Sequence, residues 1–183
     1  MNTTIRRGAF ALALAMSLSA PSFAQVTVGG APMYANKDII DNAVNSKDHT
    51  TLVAAVKAAG LVDTLKGAGP FTVFAPVNAA FAALPPGTVD TLLKPENKPA
   101  LVKVLTFHVV PGKLDAAALT KMLAAKKGPI MLKTVEGESL TITEIAGVVT
   151  LTDSKGGMAH VTTADVYQSN GVIHVIDRVL LPK

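Results

Sequence analysis

The residues best suited to acid–base or metal chemistry in this sequence are its four histidines, His49, His108, His160 and His174. No two of them follow a His-x-x-x-His spacing, which would bring two imidazoles to one face of a helix. A metal site would therefore need distant histidines to converge in the fold, and the sequence predicts none. Phosphate loops and dinucleotide fingerprints are also absent from the sequence, so we expect no cofactor.

Neither a catalytic pair nor a nucleophile is indicated. His174 alternates with Ile173 and Val175 in a strand-like pattern, and Asp177, three residues later, falls on the opposite face of a regular strand. Asp177 is expected to pair with Arg178 or with a backbone donor. The sequence has no Gly-x-Ser-x-Gly elbow, and the absence of Cys excludes disulfides, thiolate metal sites and a cysteine nucleophile. We therefore predict no catalytic residues and no enzymatic activity.

The chain is organised around residues 69–81, where the pattern changes from strand to helix. Phe71 and Val73 alternate with Thr72 and Phe74, which is the period of a strand in residue types that favour one. Pro76 cannot donate to a ladder and must end the strand. Asn78 is then expected to cap a short helix that ends before the Pro-Pro-Gly sequence at 85–87.

The rest of the sequence is helical first and strand-rich later. Asp48 is expected to cap a helix from His49 to Ala59, with His49 facing solvent in its first turn. Phe107 to Val110 is predicted to be a strand, and from Gly128 five strands follow, separated by turns. Predicted strands cover 130–135, 139–145, 148–152, 158–166 and 172–181. This order predicts an α+β fold, and the hydrophobic content of 49% is ample for its core.

The N-terminus has the pattern of an export signal. Arg6 and Arg7 precede a short apolar run, and Ser22-Phe23-Ala24 fits the small-x-small rule for cleavage between Ala24 and Gln25. The run is shorter than the roughly 20 residues that span a bilayer. We therefore predict a signal peptide at 1–24, a flexible arm at 25–36 and one domain at 37–183, with no integral membrane segment in the mature chain.

Net charge gives little support for nucleic-acid binding. The whole chain carries +4, but the predicted signal removes two arginines and no acidic residue, so the mature chain carries +2. Such a small excess provides no basic footprint for a phosphate backbone.

The organising segment also carries a family resemblance. Residues 71–81 resemble the first signature segment of the fasciclin domain, although the family usually has Thr or Ser where this chain has Val77. Residues 170–182 resemble the second signature segment almost throughout. The resemblance covers about residues 37–182 and is to a single-domain, secreted bacterial type of member. It implies a compact wedge or sandwich of β-strands with several helices packed around it.

Two shorter segments resemble positions that bind partners in animal members of the family. Phe107 and His108 stand where the family usually carries Tyr-His, a motif that binds integrins in some members, and Asp165-Val166 resembles an Asp-Ile site. The resemblance thus implies a binding site of Phe107, His108, Asp165 and Val166. The alternatives are structural: Phe107 as core, His108 as a buried histidine hydrogen-bonded to backbone, and Asp165 as a strand-end carboxylate beside a core Val166.

Taken together, the sequence predicts an exported, non-enzymatic binding protein of the periplasm or the exterior. The resemblance implies adhesion to a cell-surface or matrix protein or glycan. One alternative is a carrier of a small apolar ligand, held in a cleft between the helices and the sheet. Another is a metal-dependent hydrolase that uses converged histidines.

Overall fold

The computed structural model describes residues 26–183, so the predicted signal peptide and its cleavage between Ala24 and Gln25 lie outside the described residues. Most helices come before residue 127, and most strands come after it, which confirms the predicted α+β class. The helices are α1 (Ile39–Ala43), α2 (Thr50–Ala59), α3 (Val62–Lys66), α4 (Asn78–Ala82), α5 (Thr88–Leu93), α6 (Lys98–Phe107) and α7 (Ala116–Lys126). The strands are β1 (Thr27–Val28), β2 (Ala31–Pro32), β3 (Phe71–Pro76), β4 (Val109–Pro111), β5 (Ile130–Lys133), β6 (Ser139–Ile145), β7 (Val148–Thr152), β8 (Met158–Gln168) and β9 (Gly171–Ile176). Single turns of 3-10 helix cover Lys47–His49 and Pro95–Asn97.

Seven strands form one sheet in the order β4-β3-β9-β8-β7-β6-β5. Strands β3 and β9 pair in parallel, and every other neighbouring pair is antiparallel. The sheet curls far enough to bring its two edges together. The Val135 N–H, just beyond β5, donates a 2.8 Å hydrogen bond to the Val109 carbonyl in β4. The two edge strands thus come close together and the sheet nearly closes.

Strand β3 separates two hydrophobic cores. Val73 and Ala75 point into a core shared with helices α1 to α6, whereas Phe74 points into a second core inside the curled sheet, capped by α7. Successive side chains of a strand point to opposite faces, so a strand between two cores must be apolar on both. This explains why Phe-Thr-Val-Phe-Ala carries so little polar character, and it confirms the predicted strand ending at Pro76.

The prediction that Asn78 caps the following helix is wrong. Val77 occupies the cap position, and Asn78 lies inside the first turn of α4. Its side-chain oxygen instead accepts a 3.0 Å hydrogen bond from the Thr51 N–H, in the first turn of α2. Its amide also donates to the Lys47 carbonyl at 2.8 Å. Asn78 therefore caps a helix that lies earlier in the chain, a contact that no local pattern reveals.

The predicted flexible arm is wrong for the part of it that the structure describes. Strands β1 and β2 pair as a short hairpin, and the Met33 N–H donates to the Val26 carbonyl at 2.9 Å. Val28 and Met33 are buried at 8% and 6% exposure in the helical core. Apolar side chains in an otherwise Gly- and Pro-containing stretch were the signal for this packing.

The Asn170-Gly171 turn joins the helices to the sheet. The Asn170 side chain accepts a hydrogen bond from the Ile39 N–H at 3.1 Å and donates to the carbonyls of Leu65 and Gly67. Gly171 lies so close to β3 that a Cβ there would come within 2.1 Å of the Phe71 carbonyl oxygen. The turn therefore requires both an amide side chain and a residue without a side chain.

Candidate functional site

Phe107 and His108 lie at the end of α6, not in a strand as predicted. Phe107 is the last helical residue, and His108 follows it as the cap, with β4 beginning at Val109. Both are buried, at 0% and 3% exposure. The apolar run continues from helix into strand without a break, so periodicity alone cannot locate the boundary.

The imidazole of His108 connects two backbone segments. Its Nδ1 donates to the Val104 carbonyl at 2.8 Å, and its Nε2 accepts from the Leu180 N–H at 3.0 Å. These bonds fix the neutral Nδ1–H tautomer, because a carbonyl can only accept and an N–H can only donate. Burial lowers the pKa of His108 to about 4, although the Val104 carbonyl and the Asp153 charge act in the opposite direction. His108 therefore matches the structural alternative, a buried histidine that is hydrogen-bonded to backbone.

Asp165 and Val166 occupy an irregular stretch of β8, where the pairing register with β9 shifts. Asp165 has a left-handed backbone with φ of 58°. Its carboxylate accepts a 2.7 Å hydrogen bond from the Ala116 N–H at the start of α7. Val166 is 1% exposed in the helical core. Three of the four predicted binding residues are therefore buried, and the fourth holds a helix in place.

His174 connects two backbone segments near Asp165. Its Nε2 donates to the Leu114 carbonyl at 2.8 Å, and its Nδ1 faces the Asp165 N–H at 3.4 Å. The ring stacks on Phe74 with centroids 5.7 Å apart. Burial lowers the pKa of His174, against the opposing effect of the Leu114 carbonyl and the Asp165 and Asp115 charges. Like His108, it serves as a neutral connector between backbone segments.

The partner of Asp177 is His160 on the neighbouring strand. The Asp177 carboxylate accepts from the His160 N–H at 2.7 Å and lies 3.2 Å from its Nδ1. This agrees with the expected backbone donor and shows that His174 and Asp177 form no pair. Between residues 26 and 183, no group of three or more His, Cys, Asp or Glu side chains is placed to hold a metal ion.

His49 is buried at 3% exposure, so the prediction that it faces solvent is wrong. It lies in the wall of a cavity of about 70 Å³ between α1, α2, α3 and β3. The wall is mostly apolar and includes Ile39, Ile40, Leu52 and Val56. The structure thus contains an apolar cleft between the helices and the sheet, at the place named in the carrier alternative.

Exposed apolar side chains gather on the outside of the curled sheet. Met131, Thr141, Thr152 and Met158 stand opposite one another across four strands. The two methionines are 70% and 51% exposed. The adjacent cross-strand row, Ile130, Ile142, Leu151 and Ala159, points inward and is buried, with at most 3% exposure. We call the outward residues the outer sheet face: Met131, Thr141, Thr143, Ile145, Val148, Thr152 and Met158. An apolar residue at the outward position of an alternating strand was the sequence signal for this surface.

Comparison with known proteins identifies the family. The model of the fasciclin domain matches residues 47–182, well over half of the chain. The chain belongs to the fasciclin domain family. The family resemblance proposed from residues 71–81 and 170–182 is therefore confirmed.

Relatives of this fasciclin-domain chain occur in several organisms. It is 53% identical over 144 residues to Protein sll1483 of Synechocystis, covering 79% of this chain and 73% of that protein. It is 35% identical over 145 residues to Immunogenic protein MPB70 of Mycobacterium bovis, covering 76% and 66%. A solved FAS1 domain pair from the insect cell adhesion molecule Fasciclin I superimposes with a TM-score of 0.70 at 21% identity, covering 79% of this chain and 51% of that one. This match confirms the fold.

Across the described residues, no helix has both the length and the apolar character to cross a membrane.

Proposed function

We propose that this protein is an exported, non-enzymatic adhesion module that binds a cell-surface or matrix protein through the outer sheet face. The observation that carries the proposal is the exposure of Met131 and Met158 at the two ends of one cross-strand row. Solvent-exposed apolar side chains that cluster on one face mark interaction surfaces. The row behind them is already buried, so the face is rigid before any partner arrives.

The composition of the outer sheet face favours a protein partner over a glycan. It consists of methionine, aliphatic and threonine side chains, and it has no Phe, Tyr or Trp ring on which a sugar could stack. Methionine side chains adapt to differently shaped apolar partners and are common at protein-binding surfaces. The three threonine hydroxyls of β6 and β7 in this face provide hydrogen-bonding groups between the apolar residues.

The residues that the family resemblance indicated are mostly buried, so we place the proposed contact elsewhere. Phe107, His108 and Val166 are each at most 3% exposed, so a partner cannot touch them while the protein is folded. Asp165 is half-buried and is bonded to Ala116. We infer that Asp165 positions α7 and that the four residues maintain the fold that presents the outer sheet face.

Two further observations support this function. The solved neighbour belongs to an insect cell adhesion molecule. The predicted signal peptide would deliver the chain to the periplasm or the exterior, where such contacts are made. A single domain gives little avidity, so we expect attachment to depend on dense display.

The test is binding of protein-coated beads to source cells and to their envelope fraction. Met131→Glu together with Met158→Glu should reduce bead retention at least about tenfold, because two charges would be buried in an apolar contact. The matched control is Ala117→Glu with Ala125→Glu, which adds the same charge on the exposed side of α7. Equal retention by the outer-face variant and the control, with both folded, would overturn the site. No retention by any of them, at any coating density, would overturn the adhesion function.

A further inference from the structure

We propose that Met131 and Met158 are modification sites, at which a hydroperoxide converts each thioether to a sulfoxide and thereby prevents binding by the outer sheet face. This inference rests on the proposed adhesion function, because it concerns the regulation of the same face. It adds a chemical reaction at two named sulfur atoms, and that reaction can be followed in the absence of any partner.

Exposure to solvent separates these two methionines from the others between residues 26 and 183. Met131 is 70% exposed and Met158 is 51% exposed. Met33 is only 6% exposed in the helical core, and Met122 is half-buried against the core inside the curled sheet. The chain contains no Cys, so no thiol competes for the oxidant. Because oxidation of sulfur follows its accessibility, the first groups to react are those of the outer sheet face.

The peroxide alone supplies everything that the reaction needs. A lone pair of the thioether sulfur attacks one peroxide oxygen, and the S–O bond forms as the O–O bond breaks. The sulfur loses two electrons and the peroxide gains them. The proton on the transferred oxygen passes to the leaving oxygen, so that hydrogen peroxide yields water. The product is methionine sulfoxide, a polar side chain in place of an apolar one.

The surroundings of the two methionines allow the sheet to remain folded after oxidation. Met131 stands directly opposite Thr141, and Met158 stands directly opposite Thr152. Opposite residues of an antiparallel pair have Cβ atoms about 5 Å apart, so a threonine hydroxyl or water can donate a hydrogen bond to each sulfoxide oxygen. The apolar core of the sheet lies on the other side. Oxidation therefore changes the polarity of the outer sheet face without adding a polar group to the core.

The first experiment is treatment of the purified chain with hydrogen peroxide, followed by peptide mass spectrometry over time. Met131 and Met158 should each gain one oxygen atom at least about tenfold faster than Met33. The urea midpoint of the doubly oxidised chain should equal that of the reduced chain. Oxidation of Met33 as fast as that of Met131, or unfolding of the chain by oxidation at the two exposed positions, would overturn the proposal.

The second experiment repeats the bead-retention assay with peroxide-treated protein. Oxidation should reduce retention at least about fivefold, because each sulfoxide would lose water in an apolar contact. Methionine sulfoxide reductases A and B with dithiothreitol should restore it. Met131→Leu with Met158→Leu removes both sulfur atoms, so peroxide should not change the retention of this variant, whatever its starting value. The matched control Met122→Leu lies outside the face and should keep the full peroxide effect.

The outcomes distinguish failure of this regulation from failure of the adhesion function. If the reduced protein is not retained at all, the adhesion function is wrong, and the regulation that rests on it is wrong too. If the reduced protein is retained and the oxidised, folded protein is retained equally well, only the regulation is wrong. An equal peroxide-dependent loss in the double leucine variant would assign the effect to other residues. If that variant does not fold, recovery of the unaltered chain by the reductases still decides.

Discussion

His108 makes folding stability depend on pH in a way that can be measured. Its folded-state pKa is about 4, whereas an unfolded histidine titrates at 6.5. A lowered pKa means that the folded protein binds the proton less well than the unfolded chain does. The stability due to neutral His108 is therefore complete above pH 6.5 and is lost as the pH falls from 6.5 towards 4.

The size of the effect follows from these two pKa values. Between about pH 7.5 and about pH 4.5, protonation of the unfolded state should lower the free energy of unfolding by about 2.5 kcal/mol through His108 alone. The carboxylates and the other buried histidines add their own pH dependence. In a variant without this imidazole they remain, so a comparison isolates the contribution of His108.

The assay is urea denaturation of the native chain and His108→Gln at both pH values, followed by far-UV circular dichroism. Near pH 7.5 the variant should be less stable by about 2–4 kcal/mol, since the Leu180 N–H and the Val104 carbonyl lose their shared partner. Near pH 4.5 the difference should shrink by about 2.5 kcal/mol. A difference that does not change with pH would refute the reasoning. So would an NMR titration of the His108 ring near 6.5 in the folded native chain, a measurement that needs no variant.

Three further changes test other connections in the structure by the same unfolding assay. Asn170→Ala should cost about 2–4 kcal/mol, because it leaves backbone groups of both α1 and α3 unpaired; a loss below about 1 kcal/mol would show that water replaces the amide. Asp165→Asn keeps an acceptor for the Ala116 N–H and tolerates a φ of 58°, whereas Asp165→Ala does neither. The alanine variant should therefore be less stable than the asparagine variant by about 1–2 kcal/mol, and equal stabilities would contradict this role. Lys103→Ala should cost less than about 1 kcal/mol and lose that effect in high salt, because its ion pair with Glu138 is exposed; a large, salt-independent loss would contradict it.

Local patterns were enough to predict the elements whose amphipathic period is clear. Strands β6 and β7 have the predicted bounds, and β3 ends at Pro76 for the predicted reason. At Phe107 and His108 the pattern fails because a buried helix end and a buried strand have the same apolar composition. The correct family resemblance did not prevent this error, since a motif gives residue types and not their burial.

The candidate sites depend on contacts between residues that are distant in sequence. Asn78 caps a helix 27 residues earlier, and Asp177 pairs with a histidine 17 residues away. His49 was predicted to face solvent in the first turn of a helix, but it lies in a 3-10 turn that contacts α2 and α4, and its side chain is buried. The cavity that His49 lines cannot be derived from spacing along the chain. The outer sheet face was partly predictable, because Met131 and Ile145 interrupt an otherwise polar outward alternation.

The measurement that tests the central claim most directly is site-specific photo-crosslinking in living source cells. A crosslinking amino acid would replace Met131 in the outer sheet face or, as a control, Ala117 on the exposed side of α7. The proposed adhesion module should form a covalent adduct with a cell-surface or matrix protein from position 131 and none from position 117. No adduct from 131, or the same adducts from both positions, would contradict the claim that this face makes the contact.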